Sequence, residues 1–137
     1  MSYLLDASSL LFLIRSTNEE RKISVIKEAK VLDLTYYEIG NAVWKESGLL
    51  NSLSGENLEK VAEAVKYCFD NMESISLVSD DFASILEIAR KEKLTFYDSS
   101  YLYVAKKNNM VLVTEDGKLA RASKKYTKTR NMYSLNE

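Results

Sequence analysis

The apolar residues of this chain fall into two patterns. Short solid runs occur at SYLLD (2–6), VLDL (31–34), SISLV (74–78), MVLVT (110–114) and NMYSL (131–135), and each reads as a buried strand. Between them the apolar positions recur at helical spacing. ASSLLFLIR (7–15) predicts a helix that Asp6 or Ser8 would cap. Residues 19–30 carry Ile23, Ile26 and Lys27 at helical spacing and predict a second helix. Thr35 followed by Glu38 has the capping-box spacing, so a helix is expected to start there and run to Gly48. Ser54 opens a long amphipathic helix with Leu58, Val61, Ala62, Val65 and Phe69 on its buried stripe. Ser79 would cap the next helix, with Phe82, Ile85, Leu86 and Ala89 inward. LTFYD (94–98) leads into the helix SSYLYVAKKNN, EDGK (115–118) is turn chemistry, and LARASKK predicts a short helix. Strands alternating with helices indicate an α/β fold with a mostly parallel sheet.

Composition narrows the chemistry more than the fold. A chain of 137 residues, 46% apolar and 28% charged, suits one globular domain spanning 1–137. The first basic residue, Arg15, follows the N-terminal apolar run instead of preceding it. That order does not fit a signal peptide, and no apolar run is long enough to span a membrane, so a cytoplasmic protein is expected. The single Cys68 excludes an internal disulfide and cysteine-pair zinc sites, and reads as a small core residue. Histidine is absent. This removes Ser-His-Asp triads, Cys-His catalysis, histidine zinc sites and histidine-based RNA cleavage. Any enzymatic chemistry must come from carboxylates, hydroxyls, lysines or arginines.

Charge is uneven along the chain. Residues 118–130 hold Lys118, Arg121, Lys124, Lys125, Lys128 and Arg130 and no acid, whereas residues 1–117 carry a net charge of −6. A basic segment after an acidic body suits a phosphate backbone, and equally a solvated helix face.

Ligands of open parallel sheets bind at the carboxyl ends of the strands. Asp6 closes the first run and Asp116 follows MVLVT, while Glu38 and Asp98 stand at the starts of helices that follow strands. Each acid alone is accounted for by helix capping or turn formation. Together, four acids at strand–helix junctions are the pattern that a hard, oxygen-seeking divalent cation needs to offset carboxylate repulsion.

These same segments resemble the PIN-domain family along nearly the whole chain. YLLDASSLLFLI is similar to the family's opening strand, with an acid followed two residues later by Ser. LTYYEIGNAVWK is similar to the helix carrying the second acid, and LTFYDSSYLYVAKKNNMVLVTEDGKLARAS to the third block. The resemblance implies a three-layer α/β/α sandwich around a mostly parallel sheet of about five strands. It also implies a metal-dependent endoribonuclease using one or two Mg2+ or Mn2+ ions. Asp6, Glu38 and Asp98 match the core acids and Asp116 the fourth, with Glu115 as the alternative. Ser8, Thr114 and Asn41 match supporting polar residues. Small members are often VapC-type toxins, which implies a protein antitoxin and a homodimer. In that reading Lys118, Arg121, Lys124 and Lys125 steer RNA, and hydrolysis leaves a 5′ phosphate and a 3′ hydroxyl.

Two other classes are open to test. A PIN fold without catalysis would serve as an RNA- or protein-binding module. A receiver domain or aspartate-nucleophile phosphatase would need a second acid near Asp6, where Ala7 and Ser8 stand. Tyr36, Tyr37, Trp44, Tyr101 and Tyr103 are expected to pack in the core or a dimer interface, the Tyr-rich helix 99–109 being the candidate surface for a second copy. Tyr97, beside Asp98, is the one aromatic expected near the site.

Overall fold

The computed structural model describes residues 2–136. Among them, five short strands pair in parallel: β1 (Tyr3–Leu5), β2 (Ala29–Leu32), β3 (Glu73–Ile75), β4 (Val111–Val113) and β5 (Thr129–Arg130). Their order across the sheet is β3-β2-β1-β4-β5. The helices are α1 (Ala7–Arg15), α2 (Glu19–Glu28), α3 (Asp33–Trp44), α4 (Gly55–Asn71), α5 (Phe82–Glu92), α6 (Phe96–Lys107) and α7 (Gly117–Ser123). None is long and apolar enough to cross a membrane.

Alternation along the strands divides the core in two, because successive side chains leave a strand on opposite faces. Leu5, Val31, Val111 and Val113 face one layer, where Leu10, Leu13, Ile26, Ile39 and Cys68 pack. Leu4, Leu32 and Leu112 face the other, with Leu94, Tyr101, Leu102 and Leu119. A sheet covered on both faces explains why its strands read as solid apolar runs. The expected α/β/α sandwich is therefore present. Cys68 is buried as expected, and burial pushes its thiol up to about 11.

Several boundaries differ from expectation: β3 ends at Ile75, α3 ends at Trp44 and passes into a π-helical turn at Lys45–Leu49, α5 starts at Phe82 behind a 3-10 turn at Ser79–Asp81, and α6 starts at Phe96. Two further differences have a clear cause. First, β2 starts at Ala29 and α3 at Asp33, about two residues early. Ala29 and Lys30 continue the helical pattern of α2, but they pair with Tyr3 and Leu4, and the sheet takes them. Thr35 consequently lies inside the first turn of α3, not at its cap. Its hydroxyl accepts the Leu32 amide from there at 3.2 Å. Second, NMYSL does not form the last strand; Tyr133–Asn136 is a 3-10 turn, and the last strand is the two-residue β5 upstream. The amides of Leu112 and Thr114 bond the carbonyls of Lys128 and Arg130, which exhausts the edge of β4. The next free amide, at Met132, goes to the Glu115 carboxylate at 2.8 Å.

Several helical positions also differ from expectation. Phe82 and Leu86 of α5 are exposed while Ile85 and Ala89 are buried. On α4 the expected stripe holds at Leu58, Val61, Val65 and Phe69, which are half-buried, while Ala62 is exposed and Cys68 is buried. The Tyr-rich helix is largely interior, since Ser99, Ser100, Tyr101, Leu102, Val104 and Ala105 of α6 are all buried, so it offers little surface to a second copy. Tyr36, Tyr37 and Trp44 of α3 are exposed instead of packed in the core.

Candidate active site

Chain direction across the sheet reverses between β1 and β4, since one neighbour of β1 is β2 and the other is β4. The crevice beyond the strand ends at such a switch point is where α/β proteins bind ligands. Asp6 follows β1 and Thr114 follows β4, so both stand at this crevice.

Asp6 is buried and almost fully bonded. Its Oδ1 accepts the Ser8 hydroxyl at 2.7 Å and the Ser9 amide at 2.9 Å, which caps α1 as expected. Its Oδ2 accepts the Thr114 hydroxyl. Thr114 Oγ1 in turn accepts the Asp116 amide at 3.0 Å, and Ser8 Oγ accepts the Glu115 amide at 3.0 Å. The two hydroxyls thus tie the loop after β4 to the acid after β1. Burial raises the Asp6 carboxyl above its ordinary value, against the lowering effect of these hydrogen bonds.

Glu38 and Asp98 lie opposite each other on α3 and α6. Glu38 Oε1 accepts the Tyr101 hydroxyl at 2.7 Å. Asp98 sits in the first turn of α6, which Thr95 caps by accepting the Asp98 amide at 3.0 Å. Partial burial raises the Glu38 carboxyl, and the charges of Asp98 and Asp6 raise it further, while the Tyr101 hydrogen bond lowers it. Burial likewise raises Asp98, reinforced by Asp116 and Asp6 and opposed by the Thr95 hydroxyl and Lys118. Asp98 and Asp6 thus bear on Glu38, and Asp116 and Asp6 bear on Asp98. Asn41 is exposed on α3, one turn beyond Glu38, and Tyr97 is exposed beside Asp98.

The two acids after Thr114 have different surroundings. The Glu115 carboxylate holds the Met132 amide of the C-terminal turn. The Asp116 carboxylate caps α7 through the amides of Lys118 and Leu119 and faces Asp98 closely enough to raise it. The basic residues separate as well. Lys118 lies near Asp98, and Lys124 lines a polar cleft with Thr114, Asp116 and Arg130. The Arg121 guanidinium folds back against Gly117. Lys125 is bound to Glu92 at 2.7 Å, away from the acids.

Tyr101 is the site residue that the sequence did not single out. It is 1% exposed and reads as core, yet its hydroxyl reaches Glu38, one of the candidate acids. Its place three residues after Asp98, on the same helical face, was the available signal.

This donor set of carboxylates and hydroxyls fits a hard divalent cation. Among the described residues no three acids are drawn together into a finished cage.

The sequence and the fold both match known proteins. The PIN-domain family model matches residues 3–125. An exonuclease named VapC9 from Pyrobaculum aerophilum is 35% identical over 127 residues, covering 90% of this chain and 87% of the relative. A ribonuclease named VapC3 from the same organism is 34% identical over 131 residues, covering 88% and 93%. The crystal structure of PAE2754 from Pyrobaculum aerophilum superposes with a TM-score of 0.81 at 31% identity, over 98% of this chain and 86% of that one. FitAcB from Neisseria gonorrhoeae shares the fold at a TM-score of 0.67 and 16% identity, over 97% and 99% of the two chains. With the match running through all the segments that carry the four acids, the chain belongs to the PIN-domain family.

Proposed function

We propose that this protein is a metal-dependent endoribonuclease, the toxin of a toxin–antitoxin pair. The observation that carries this reading is the gathering of acids at the β1/β4 switch point: Tyr101 bonds Glu38 from the helix of Asp98, Thr114 joins the Asp6 carboxylate to the Asp116 amide, and Asp98 lies close enough to Asp116 and Asp6 to feel their charge. Nucleases of this family generally use divalent metals, and the relative named Ribonuclease VapC3 supports RNA as the substrate.

Asp6, Glu38 and Asp98 hold the first Mg2+ or Mn2+, and Asp116 helps with it or with a second. A bound ion of this kind supplies an activated water at neutral pH and stabilises charge on the phosphorus and the leaving oxygen. The protein's own part is positional. Ser8 and Thr114 orient Asp6, and the Asp116 cap fixes the loop beside it. Lys118 and Lys124 meet the phosphates of the incoming strand, with Arg121 at the margin. Lys125, held by Glu92, is the least engaged of the four. Single-stranded or looped RNA suits the open site, where Tyr97 can stack on an unpaired base.

An antitoxin partner is supported by the VapC relatives, and cytoplasmic residence goes with that role. A homodimer formed through Tyr36, Tyr37 and Trp44 would cover the exposed aromatics of α3.

The test is cleavage of linear and circular RNA by purified protein with Mn2+, with EDTA, and with Asp98→Asn. Circular RNA opened only with metal and only by the native chain supports the proposal. Cleavage that survives EDTA or the substitution would sink the metal mechanism. Digestion of linear RNA alone would make the protein an exonuclease. RNA binding without any cleavage would favour the binding module.

A further inference from the structure

Two helices face each other across the site with matched pairs of residues. On α3, Thr35 and Glu38 are three apart and share a face; on α6, Asp98 and Tyr101 do the same. The buried Tyr101 hydroxyl donates to Glu38 Oε1 at 2.7 Å and lies 2.7 Å from Thr35 Oγ1. A carboxylate only accepts, so the Tyr101 proton points to Glu38 and Thr35 must donate to Tyr101. Thr35 in turn accepts the Leu32 amide at 3.2 Å. The result is a one-way chain from the end of β2 through Thr35 and Tyr101 to Glu38, with every donor committed.

We propose that Tyr101 is a positioning residue that fixes Glu38 as a one-oxygen metal ligand. Its hydroxyl takes one lone pair of Oε1 and fixes the carboxylate plane, which makes the uncommitted Oε2 the preferred oxygen for a cation. It also ties Glu38 to the helix that carries Asp98, so the spacing of the two acids is held by one part-buried hydrogen bond. Hydrogen-bond partners behind metal ligands act in this way by fixing ligand orientation. This inference rests on the metal-dependent reading above.

The test is Mn2+ binding by calorimetry, with thermal melts, on native protein and on Tyr101→Phe. The expected result is Mn2+ affinity weakened by roughly tenfold or more, with the metal-free melt still cooperative. Cleavage by Tyr101→Phe should recover as Mn2+ is raised, which a general packing defect would not allow. Tyr103→Phe, which removes a hydroxyl bonded to Asp81 outside the site, should bind Mn2+ as the native chain does. Should Tyr101→Phe fail to fold, Thr35→Val and Thr35→Ser serve instead, with affinity lost in the first and kept in the second. Folded Tyr101→Phe binding Mn2+ within about twofold of native, well inside the expected loss, would overturn the role of Tyr101 and leave the nuclease reading standing. A native chain that binds no Mn2+ would overturn both.

Discussion

The Thr114 hydroxyl, at the end of β4, donates to the buried Asp6 carboxylate at the end of β1. It also accepts the Asp116 amide at 3.0 Å, so one side chain serves two acids. Thr114→Val keeps the shape and removes both bonds. We expect a stability loss of about 1–3 kcal/mol, chiefly because the buried Asp6 carboxylate loses a partner. Cleavage should fall by roughly 10- to 100-fold. Thr114→Ser should stay close to native in both. Urea unfolding and initial cleavage rates check this; a Val variant as active as native would remove Thr114 from the site.

The raised carboxyls of Asp6, Glu38 and Asp98 make a prediction about pH. A carboxyl whose folded value exceeds its unfolded one binds more protons in the folded state. Stability of the metal-free protein must then fall as pH rises from the ordinary values, 3.8 for Asp and 4.5 for Glu, through the raised ones. Asp81 and Glu92 are lowered by hydrogen bonds, from the Val78 amide and Lys125 foremost, and act oppositely, but their contribution is lost only below those ordinary values. In EDTA the melting temperature should therefore be higher at pH 5 than at pH 7.5, and added Mn2+ should reverse the order. Asp98→Asn should flatten the EDTA profile while abolishing cleavage. A melting temperature in EDTA that rises from pH 5 to 7.5 would contradict the assignment.

How far the sequence could be read follows from what each signal depends on. The solid apolar runs survive as β1 and β4 because a strand buried on both faces has one composition wherever it lies. The start of β2 was hidden because Ala29 and Lys30 suit a helix locally, and only their partners on β1 decide the matter. Rotated stripes, as at Phe82 and Leu86, have the same origin: helical spacing gives a face but not its direction. Asp6 and Asp116 were legible as acids that follow strands and Glu38 and Asp98 as acids near helix starts, because capping and turn positions show in local sequence. Tyr101 was not, because a buried tyrosine advertises its ring, and the partner of its hydroxyl lies 63 residues away.

Glu115 and Asp116 are adjacent acids with separable jobs. Glu115→Gln keeps an acceptor for the Met132 amide and should leave both stability and cleavage near native. Glu115→Ala should cost about 1 kcal/mol of stability through that lost hydrogen bond. Asp116→Asn keeps a competent cap for α7, since Asn caps as well as Asp, so stability should hold. Cleavage should nevertheless fall by roughly tenfold or more if its charge serves the metal. Melting curves beside cleavage rates separate the two; a larger catalytic loss at Glu115→Gln would exchange their roles.

The basic segment divides in the same manner, and salt dependence reads the division. Lys124 lines the cleft with Asp116 and Arg130, so it is free to meet a phosphate. Lys125 is committed to Glu92 at 2.7 Å, beside the Tyr126 hydroxyl that also bonds Glu92 at 2.7 Å. A lysine that neutralises one phosphate of single-stranded RNA contributes about 0.7 to the slope of log affinity against log salt. Lys124→Ala should lower that slope by about this amount and weaken binding at low salt. Lys125→Ala should leave the slope unchanged and lower the melting temperature, because Glu92 loses its cation. Binding should be measured with catalytically silenced Asp98→Asn as the background, over a series of salt concentrations. If Lys125→Ala changes the slope and Lys124→Ala does not, the RNA runs over the outer face of α7, toward α5, and not through the cleft beside Asp116.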